Sequence, residues 1–316
     1  MGRFVVRRLI AMVLVLFAIS VLTFLIFFAI SGGDQAERLA GRTASQTQIE
    51  AVRHEFGFDK SLPVQYVKTM GKLFTGKLVS YTQGGVSVVD QIKERIPPTL
   101  SLVIGAGLLW LFSGVALGVF SAVRAGRFSD RLVTVLSIIG ISMPVFVLGA
   151  LLSYYLGYKA RIFPNGGYTK FADDPWQWFY HLLLPWLTLA VLFIGFYSRV
   201  MRSNMLDTMS EDYIRTARAK GLSERRILIR HVLRNSLIPI VTLFGLDFGS
   251  VIGGGAILTE SVFNIPGVGQ YAATSVDALD IPPVLAVVIF GAFFIVLFNA
   301  IVDILYAALD PRIRLS

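Results

Sequence analysis

The segment EDYIRTARAKGLSERRILIRHVLR, Glu211–Arg234, is a basic, helix-forming run with one glycine near its middle, and it separates two long apolar stretches. The chain around it has 316 residues, of which 55% are hydrophobic and 16% charged. Ordinary soluble domains carry about 25% charged residues, so the composition indicates a membrane protein. We therefore interpret the net charge of +9 as loop charge that orients a bilayer protein, not as a nucleic-acid surface.

Six apolar stretches reach the length of a transmembrane helix, which is about 20 residues. They run from Leu9 to Ile30, Thr99 to Val123, Leu132 to Tyr158, His181 to Met201, Ile238 to Leu258 and Val284 to Ala308. Pro144 interrupts the third stretch, and Pro185 lies within the fourth. The first could instead be a cleaved signal peptide, because Ala29-Ile30-Ser31 resembles a cleavage site. Its apolar run of about 22 residues exceeds the roughly 7–15 of a signal core, so we predict a retained span.

Loop charge predicts the orientation of these spans. Basic residues gather at both termini and in the loops after spans two and four: Arg3, Arg7, Arg8, Arg124, Arg127, Arg131, Arg202, Arg215, Arg218, Lys220, Arg225, Arg226, Arg230, Arg234, Arg312 and Arg314. The stretch from Thr259 to Pro283, between spans five and six, contains no lysine or arginine. The positive-inside rule then places both termini and the quoted segment in the cytoplasm.

The predicted fold is an all-α polytopic membrane protein with six transmembrane helices and both ends inside. We divide it into an N-terminal transmembrane helix in residues 1–30, a small extracytoplasmic cap domain in 31–98 and a transmembrane domain in 99–316. The last part carries helices two to six and a cytoplasmic loop over 202–236, whose helical hairpin joins spans four and five.

One amphipathic helix and a second amphipathic segment of one or two turns are expected in the cap. Ile49 and Val52 recur at helical spacing after Ser45, a potential N-cap, and Val67 and Met70 repeat the pattern further on. This spacing predicts an ordered cap and not a loose connection.

The quoted segment predicts two short helices joined at a glycine. Ser210 and Ser223 are potential N-caps, and Gly221 stands where a left-handed residue ends the first helix. The second helix leads almost directly into Pro239 and span five, so displacing the hairpin would move a span. On these residues alone, docking to a partner protein and anchoring to anionic lipid both remain open.

A longer stretch, YIRTARAKGLSERRILIRHVLRNSLIP at Tyr213–Pro239, resembles the cytoplasmic coupling loop of ABC importer permeases in the dipeptide and oligopeptide branch. Four other stretches resemble that branch in the right order: EFGFDKSLPVQY at 55–66, PPTLSLVIGAGLL at 97–109, AILTESVFNIPGVGQ at 256–270 and DILYAALDPRIRLS at 303–316. The resemblance thus covers nearly the whole chain.

The broad importer motif reads Glu-Ala-Ala, three residues, Gly, nine residues, Ile-x-Leu-Pro. Only Ala217, Gly221 and Leu233 match it here, because Arg215-Thr216 replace Glu-Ala and His231 and Arg234 replace Ile and Pro. These differences predict a docking surface more basic than the general motif implies.

The resemblance implies a permease subunit of the cell inner membrane that imports di- or oligopeptides. Its implied partners are a second, related permease, two ABC ATPase subunits, an extracytoplasmic substrate-binding protein and the lipid bilayer, with no nucleic acid. No Gly-x-x-x-x-Gly-Lys-Ser/Thr loop is present, so we expect a transport subunit that is not an enzyme and binds no cofactor. ATP and Mg would sit on the partner ATPases.

The same resemblance implies a docking helix that one ATPase grips. Its predicted residues are Tyr213, Ile214, Arg215, Thr216, Ala217, Arg218, Ala219, Lys220 and Gly221. We expect Arg215 and Arg218 to bond acidic groups of the ATPase, and Tyr213 and Ala217 to pack in its cleft.

Acidic residues in apolar runs usually face protein or water and not lipid. Asp247 is therefore a candidate pathway or inter-subunit residue, and Asp303 is expected to pair with Arg312 or Arg314. The turn FNIPGVGQ, Phe263–Gln270, is expected to face outward as a re-entrant or surface turn near the pathway mouth, where a binding protein could dock.

Three other functions are weighed against peptide import. The same architecture could import nickel or another small solute, and a self-sufficient secondary transporter would often show inverted repeats. An intramembrane enzyme is disfavoured, because the chain has no cysteine and its three histidines, His54, His181 and His231, lie in separate regions. We therefore predict no catalytic residue and no metal ligand.

Overall fold

The computed structural model describes residues 2–27, 36–37 and 45–309, and the regular secondary structure of these residues is helical, with one isolated β-bridge between Val79 and Ser87. The helices are α1 Gly2–Leu25, α2 Gln46–Phe56, α3 Leu62–Phe74, α4 Val88–Val123, α5 Phe128–Ser142, α6 Val145–Leu152, α7 Pro175–Ser210, α8 Asp212–Ala219, α9 Glu224–Ile227, α10 Arg234–Ser250, α11 Ile257–Val262, α12 Val268–Asp277 and α13 Ile281–Leu309. π-helical segments follow α6, α9 and α10 at Ser153–Lys159, Leu228–Leu233 and Val251–Gly255. The cleavage-like triplet 29–31 lies outside the described residues.

The all-α polytopic class is confirmed. Five helices are long and apolar enough to cross a membrane, and the pair α5 and α6 makes a sixth if it counts as one span. The helices extend further than the apolar stretches predicted. α4 begins at Val88 instead of Thr99, and the Ser87 hydroxyl caps this start by accepting the Asp90 N–H. α7 begins after Asp174, whose carboxylate caps its first turn.

The third predicted span is two helices bent by 98°, and not one straight crossing. Pro144 lacks an N–H and forces Met143 into an extended conformation with φ −87° and ψ 122°, which ends α5. Pro185 and Pro239, in contrast, lie inside α7 and α10 without ending them.

Glycines let the spans approach closely. A Cβ on Gly114 would lie 2.6 Å from the Tyr197 Cβ, and one on Gly118 would lie 2.6 Å from the Met201 Cβ, so α4 and α7 meet backbone to backbone. The same holds for Gly249 against Phe298 at 2.6 Å, between α10 and α13.

The cap contains both predicted amphipathic segments as helices. Ser45 caps α2 in a reciprocal capping box with Gln48, as expected. The cap is fixed to the start of α13 by Asp280, which is fully buried. Its carboxylate accepts hydrogen bonds from the Ser80 hydroxyl, from the Tyr81 N–H at 3.1 Å and from the Thr82 hydroxyl at 2.8 Å.

Asp303 pairs with a residue of the first helix, and its predicted pairing with Arg312 or Arg314 stays a prediction. Arg8 on α1 lies 3.0 Å from the Asp303 carboxylate on α13, while Arg312 and Arg314 lie outside the described residues. The pair brings the first turns of α1 and the last turns of α13 together at one end of the bundle.

Candidate functional site

The predicted docking helix is α8, a separate element between α7 and α9. It begins one residue later than expected, because Ser210 is the last residue of α7 and its hydroxyl donates to the Asp207 carbonyl at 2.7 Å. Glu211 takes the N-cap position instead. Gly221 has φ +75° as predicted, and its N–H closes the helix on the Arg218 carbonyl at 2.9 Å.

One face of α8 is buried against the chain's own bundle. Ile214 is completely buried and Ala217 is 8% exposed, and both belong to the apolar cluster that contains Met205, Ile227 and Val232. The expectation that Ala217 packs in a partner's cleft is therefore wrong, because its methyl group is already covered. Its small size instead allows α8 to lie close to the bundle.

The opposite face of α8 is exposed. Tyr213, Arg215, Thr216, Arg218, Ala219 and Lys220 all lie on the surface. Arg218 is engaged within the chain by the Glu224 carboxylate at 2.8 Å, an ion pair that bridges the Gly221 turn. Arg215 has only the neighbouring Asp212 at 3.5 Å, and its side chain is 73% exposed. A surface pair of this kind contributes little, about 0–1 kcal/mol, so Arg215 is free to exchange partners.

α8 is joined mechanically to the fifth span. Helical backbone continues from Glu224 to Gly255 through α9, a π-helical segment and α10, as the predicted route into Pro239 requires. The Asn235 amide donates to the Tyr213 hydroxyl at 2.8 Å, so the exposed face of α8 is bonded to the base of α10. α8 is thus connected to a membrane span both through the backbone and through this hydrogen bond.

Asp247 faces protein within the bundle. The hydroxyl of the fully buried Tyr197 on α7 donates to the Asp247 carboxylate on α10 at 2.7 Å. Trp110 on α4 lies nearby and stacks on Phe193, with ring centroids 4.4 Å apart. Asp247 therefore links two spans beside an aromatic cluster.

A second carboxylate, which the sequence analysis did not single out, is buried on α11. Glu260 on α11 is completely buried and accepts hydrogen bonds from the Thr99 hydroxyl at 2.7 Å and from the Gln270 N–H at 2.8 Å. Thr99 accepts in turn from the Val268 N–H at 2.9 Å. The carboxylate thus ties α4 and α11 to the first turn of α12, whose free N–H groups attract an anion.

This site shows how FNIPGVGQ is placed. Phe263 and Ile265 are fully buried and Asn264 and Pro266 are exposed, so most of the turn is packed inside the protein, and docking of a binding protein on it stays a prediction. A Cβ on Gly267 would lie 2.3 Å from the Glu260 carboxylate, and one on Gly269 would lie 2.9 Å from the same group. The two glycines therefore leave room for the Glu260 carboxylate of the same chain. The sequence feature that could have predicted this site is a glutamate seven residues before a Gly-x-Gly turn.

Burial changes the titration of Glu260. Loss of water raises the pKa of its carboxyl to about 7, against the lowering effect of the hydrogen bonds from Thr99, Gln270 and Gly269 and of the charge on Arg95. The group therefore exchanges its proton near neutral pH.

A bundle of helices long and apolar enough to cross a membrane, with a short surface helix bonded to the base of one of them, defines the class of a polytopic membrane protein. Residues 114–315 match the family described as "binding-protein-dependent transport system inner membrane component", and residues 1–103 match the N-terminal family of the same membrane components. The chain belongs to this family. It is therefore a multi-pass inner-membrane permease component of an ABC importer and has no ATPase of its own.

Curated relatives match over almost their full length. A probable peptide ABC transporter permease protein, y4tP of Sinorhizobium fredii, is 38% identical over 99% of this chain and 100% of its own. A probable D,D-dipeptide transport system permease protein, DdpB of Escherichia coli, is 40% identical over 97% of this chain and 96% of its own. The glutathione transport system permease protein GsiC of Escherichia coli is 38% identical over 99% of both chains.

Proposed function

We propose that this permease carries di- or oligopeptides, together with a second related permease, two ABC ATPase subunits and an extracytoplasmic substrate-binding protein. The names of the similar proteins support a peptide cargo, since they refer to a peptide, a D,D-dipeptide and glutathione. Nickel import is less well supported, because the described residues hold no group of three or more histidine, aspartate or glutamate side chains suited to a metal.

The observation that carries this proposal is the two-faced position of α8. Its inner face is fixed by Ile214 and Ala217, and its outer face presents Tyr213 and Arg215. A cleft on an ATPase subunit would grip the outer face, and the inner face would pass the movement to the continuous helix from Glu224 to Gly255. Closure of the ATPases on ATP would then tip the fifth span.

Arg215 and Tyr213 are the proposed contacts to the ATPase, and Arg218 has a different role. Because Arg218 already bonds Glu224 across the turn, we assign it to holding α8 against α9. Arg215 is available for an acidic group of the partner, where a charge-assisted bond contributes about 1.5–3 kcal/mol.

A cross-linking experiment tests this docking surface. The chain contains no cysteine, so Arg215→Cys introduces a single thiol that accepts a photoactivatable maleimide. In membranes that also contain the cognate ATPase, we expect an adduct with the summed mass of permease and ATPase. Arg127→Cys is the matched control, because Arg127 is an exposed arginine in the other basic loop. Absence of the adduct at position 215, or equal yields at both positions, would contradict the proposal.

Uptake of labelled solutes tests the cargo separately. Cells that express the whole system should accumulate a labelled dipeptide and not ⁶³Ni²⁺. Nickel uptake without dipeptide uptake would favour the nickel importer and would leave the docking surface intact.

We further propose that Asp247 borders the translocation pathway. Replacing Asp247 by alanine should lower peptide uptake about tenfold at unchanged protein level, since one charge-assisted contact contributes about 1.5–3 kcal/mol. Tyr197→Phe is the control, because it removes the hydrogen bond of 2.7 Å and leaves the carboxylate in place. Equal losses in the two variants would show that Asp247 has only a structural role.

A further inference from the structure

Helix α3 of the cap lies against the side of the first span. Tyr66 packs edge-on against Phe24, with ring centroids 5.4 Å apart, and its hydroxyl lies 2.8 Å from the Ser20 hydroxyl. Ser20 is five residues before Leu25, the end of α1, and therefore about 7–8 Å inside it at 1.5 Å per residue. The inner face of α3 is thus held beside the C-terminal half of the apolar stretch of α1.

One flank of α3 is apolar and exposed. Phe74 is 81% exposed and Val67 is 67% exposed, and at 3.6 residues per turn they lie within about 20° of each other around the helix. Val64, on the same flank, is 42% exposed. No described residue covers these side chains, and their flank adjoins the one that contacts α1.

The other flank of α3 is basic. Lys68 and Lys72, with Lys60 from the preceding turn, line a cavity of about 470 Å³ together with Gln65 and Thr69. No salt bridge between described residues engages any of the three lysines. Lys60 is close enough to lower the pKa of the Lys68 ammonium. The Asp59 carboxylate partly offsets this effect on Lys68, but one carboxylate faces three ammonium groups, and such an excess of like charge favours binding of an anion.

We propose that α3 is an interfacial helix, with Val67 and Phe74 in the acyl region of the bilayer and an anionic phospholipid headgroup in the cavity of Lys60, Lys68 and Lys72. An apolar flank next to a lysine flank, at the edge of a membrane span, is the arrangement of helices that lie in the membrane surface. Basic residues at that level attract acidic lipid by about 1 kcal/mol each. The headgroup phosphate would neutralise the three ammonium groups.

Spin labels test the apolar contact. Val67→Cys and Phe74→Cys would be labelled one at a time in the full chain in nanodiscs that contain phosphatidylglycerol, with Gln83→Cys, exposed on the cap loop, as the aqueous control. We expect labels at 67 and 74 to be relaxed by oxygen and shielded from a water-soluble nickel chelate, and the label at 83 to behave oppositely. Nickel access at 67 and 74, or shielding from both reagents, would overturn the lipid contact.

Lipid retention tests the headgroup site. Native mass spectrometry of the detergent-purified chain would count bound phosphatidylglycerol during titration against phosphatidylcholine. Each of Lys68→Gln and Lys72→Gln should weaken phosphatidylglycerol binding about fivefold, which is the factor that corresponds to one lysine near an acidic surface. Lys77→Gln is the matched control, since Lys77 is an exposed cap lysine outside the cavity. Equal binding by all three variants and the unaltered chain would refute the site.

Discussion

Replacing Gly221 by valine is expected to abolish most peptide uptake while the protein stays in the membrane at its normal level. Gly221 has φ +75°, a left-handed conformation that costs an L-residue about 1–2 kcal/mol and is worst for a β-branched one. The turn would relax and change the angle between α8 and α9. A free-energy cost of that size lowers the population of permease with α8 docked on the ATPase about tenfold, so we expect at least about a tenfold loss of uptake.

The controls for this variant separate strain from docking. A Cβ at Gly221 would meet no atom within 4 Å, so crowding is not the cause. Gly57 on the cap has the same φ of +75° and the same open surroundings, and Gly57→Val should retain uptake. Gly221→Asn should restore it in part, since asparagine tolerates this conformation. Normal uptake by Gly221→Val would rule out the proposed transmission of movement from α8 to the fifth span.

Replacing Glu260 by alanine is expected to destabilise the folded bundle by about 3 kcal/mol or more. The change leaves the Gln270 and Gly269 N–H groups without their acceptor in a buried site, at about 1–3 kcal/mol for each orphaned donor. It also releases the Thr99 hydroxyl and so loosens the contact between α4 and α12. Thermal unfolding of the detergent-purified chain should show a clearly lower midpoint than that of Glu260→Gln, which keeps one acceptor oxygen. Equal midpoints for the two variants would contradict the role of the carboxylate.

Glu260 is also expected to make the stability of the folded chain depend on pH. The pKa of the Glu260 carboxyl is about 7 in the folded chain and 4.5 in its ordinary state, so the folded chain holds one more proton than the unfolded chain between these values. Stability therefore falls as pH rises through this window, by about 3 kcal/mol in total. The midpoint of Glu260→Gln should lack this part of the fall, and an identical pH slope in both proteins would refute it.

Much of the docking region was predictable because its signals are local. Gly221 has the predicted left-handed conformation, and the helix after it does continue into the fifth span. Ser223 occupies the predicted N-cap position, but its side chain makes no capping hydrogen bond. What failed was the assignment of faces. Ile214 and Ala217 were placed with the docking residues, yet they are buried in the chain's own bundle, since helical spacing tells which residues share a face and not what covers that face.

The sequence by itself determined the membrane class, the apolar spans and the helix ends that are set by serine, glycine and proline. These follow from the transfer of about 20 consecutive residues into lipid and from hydrogen bonds between near neighbours. Only the tertiary structure decided that Glu260 pairs with Thr99, that Arg8 pairs with Asp303, and that the break at Pro144 becomes a bend of 98°. These partners lie far apart along the chain or depend on how helices pack. Their choice is therefore set by which backbones approach closely enough, and no local pattern encodes that.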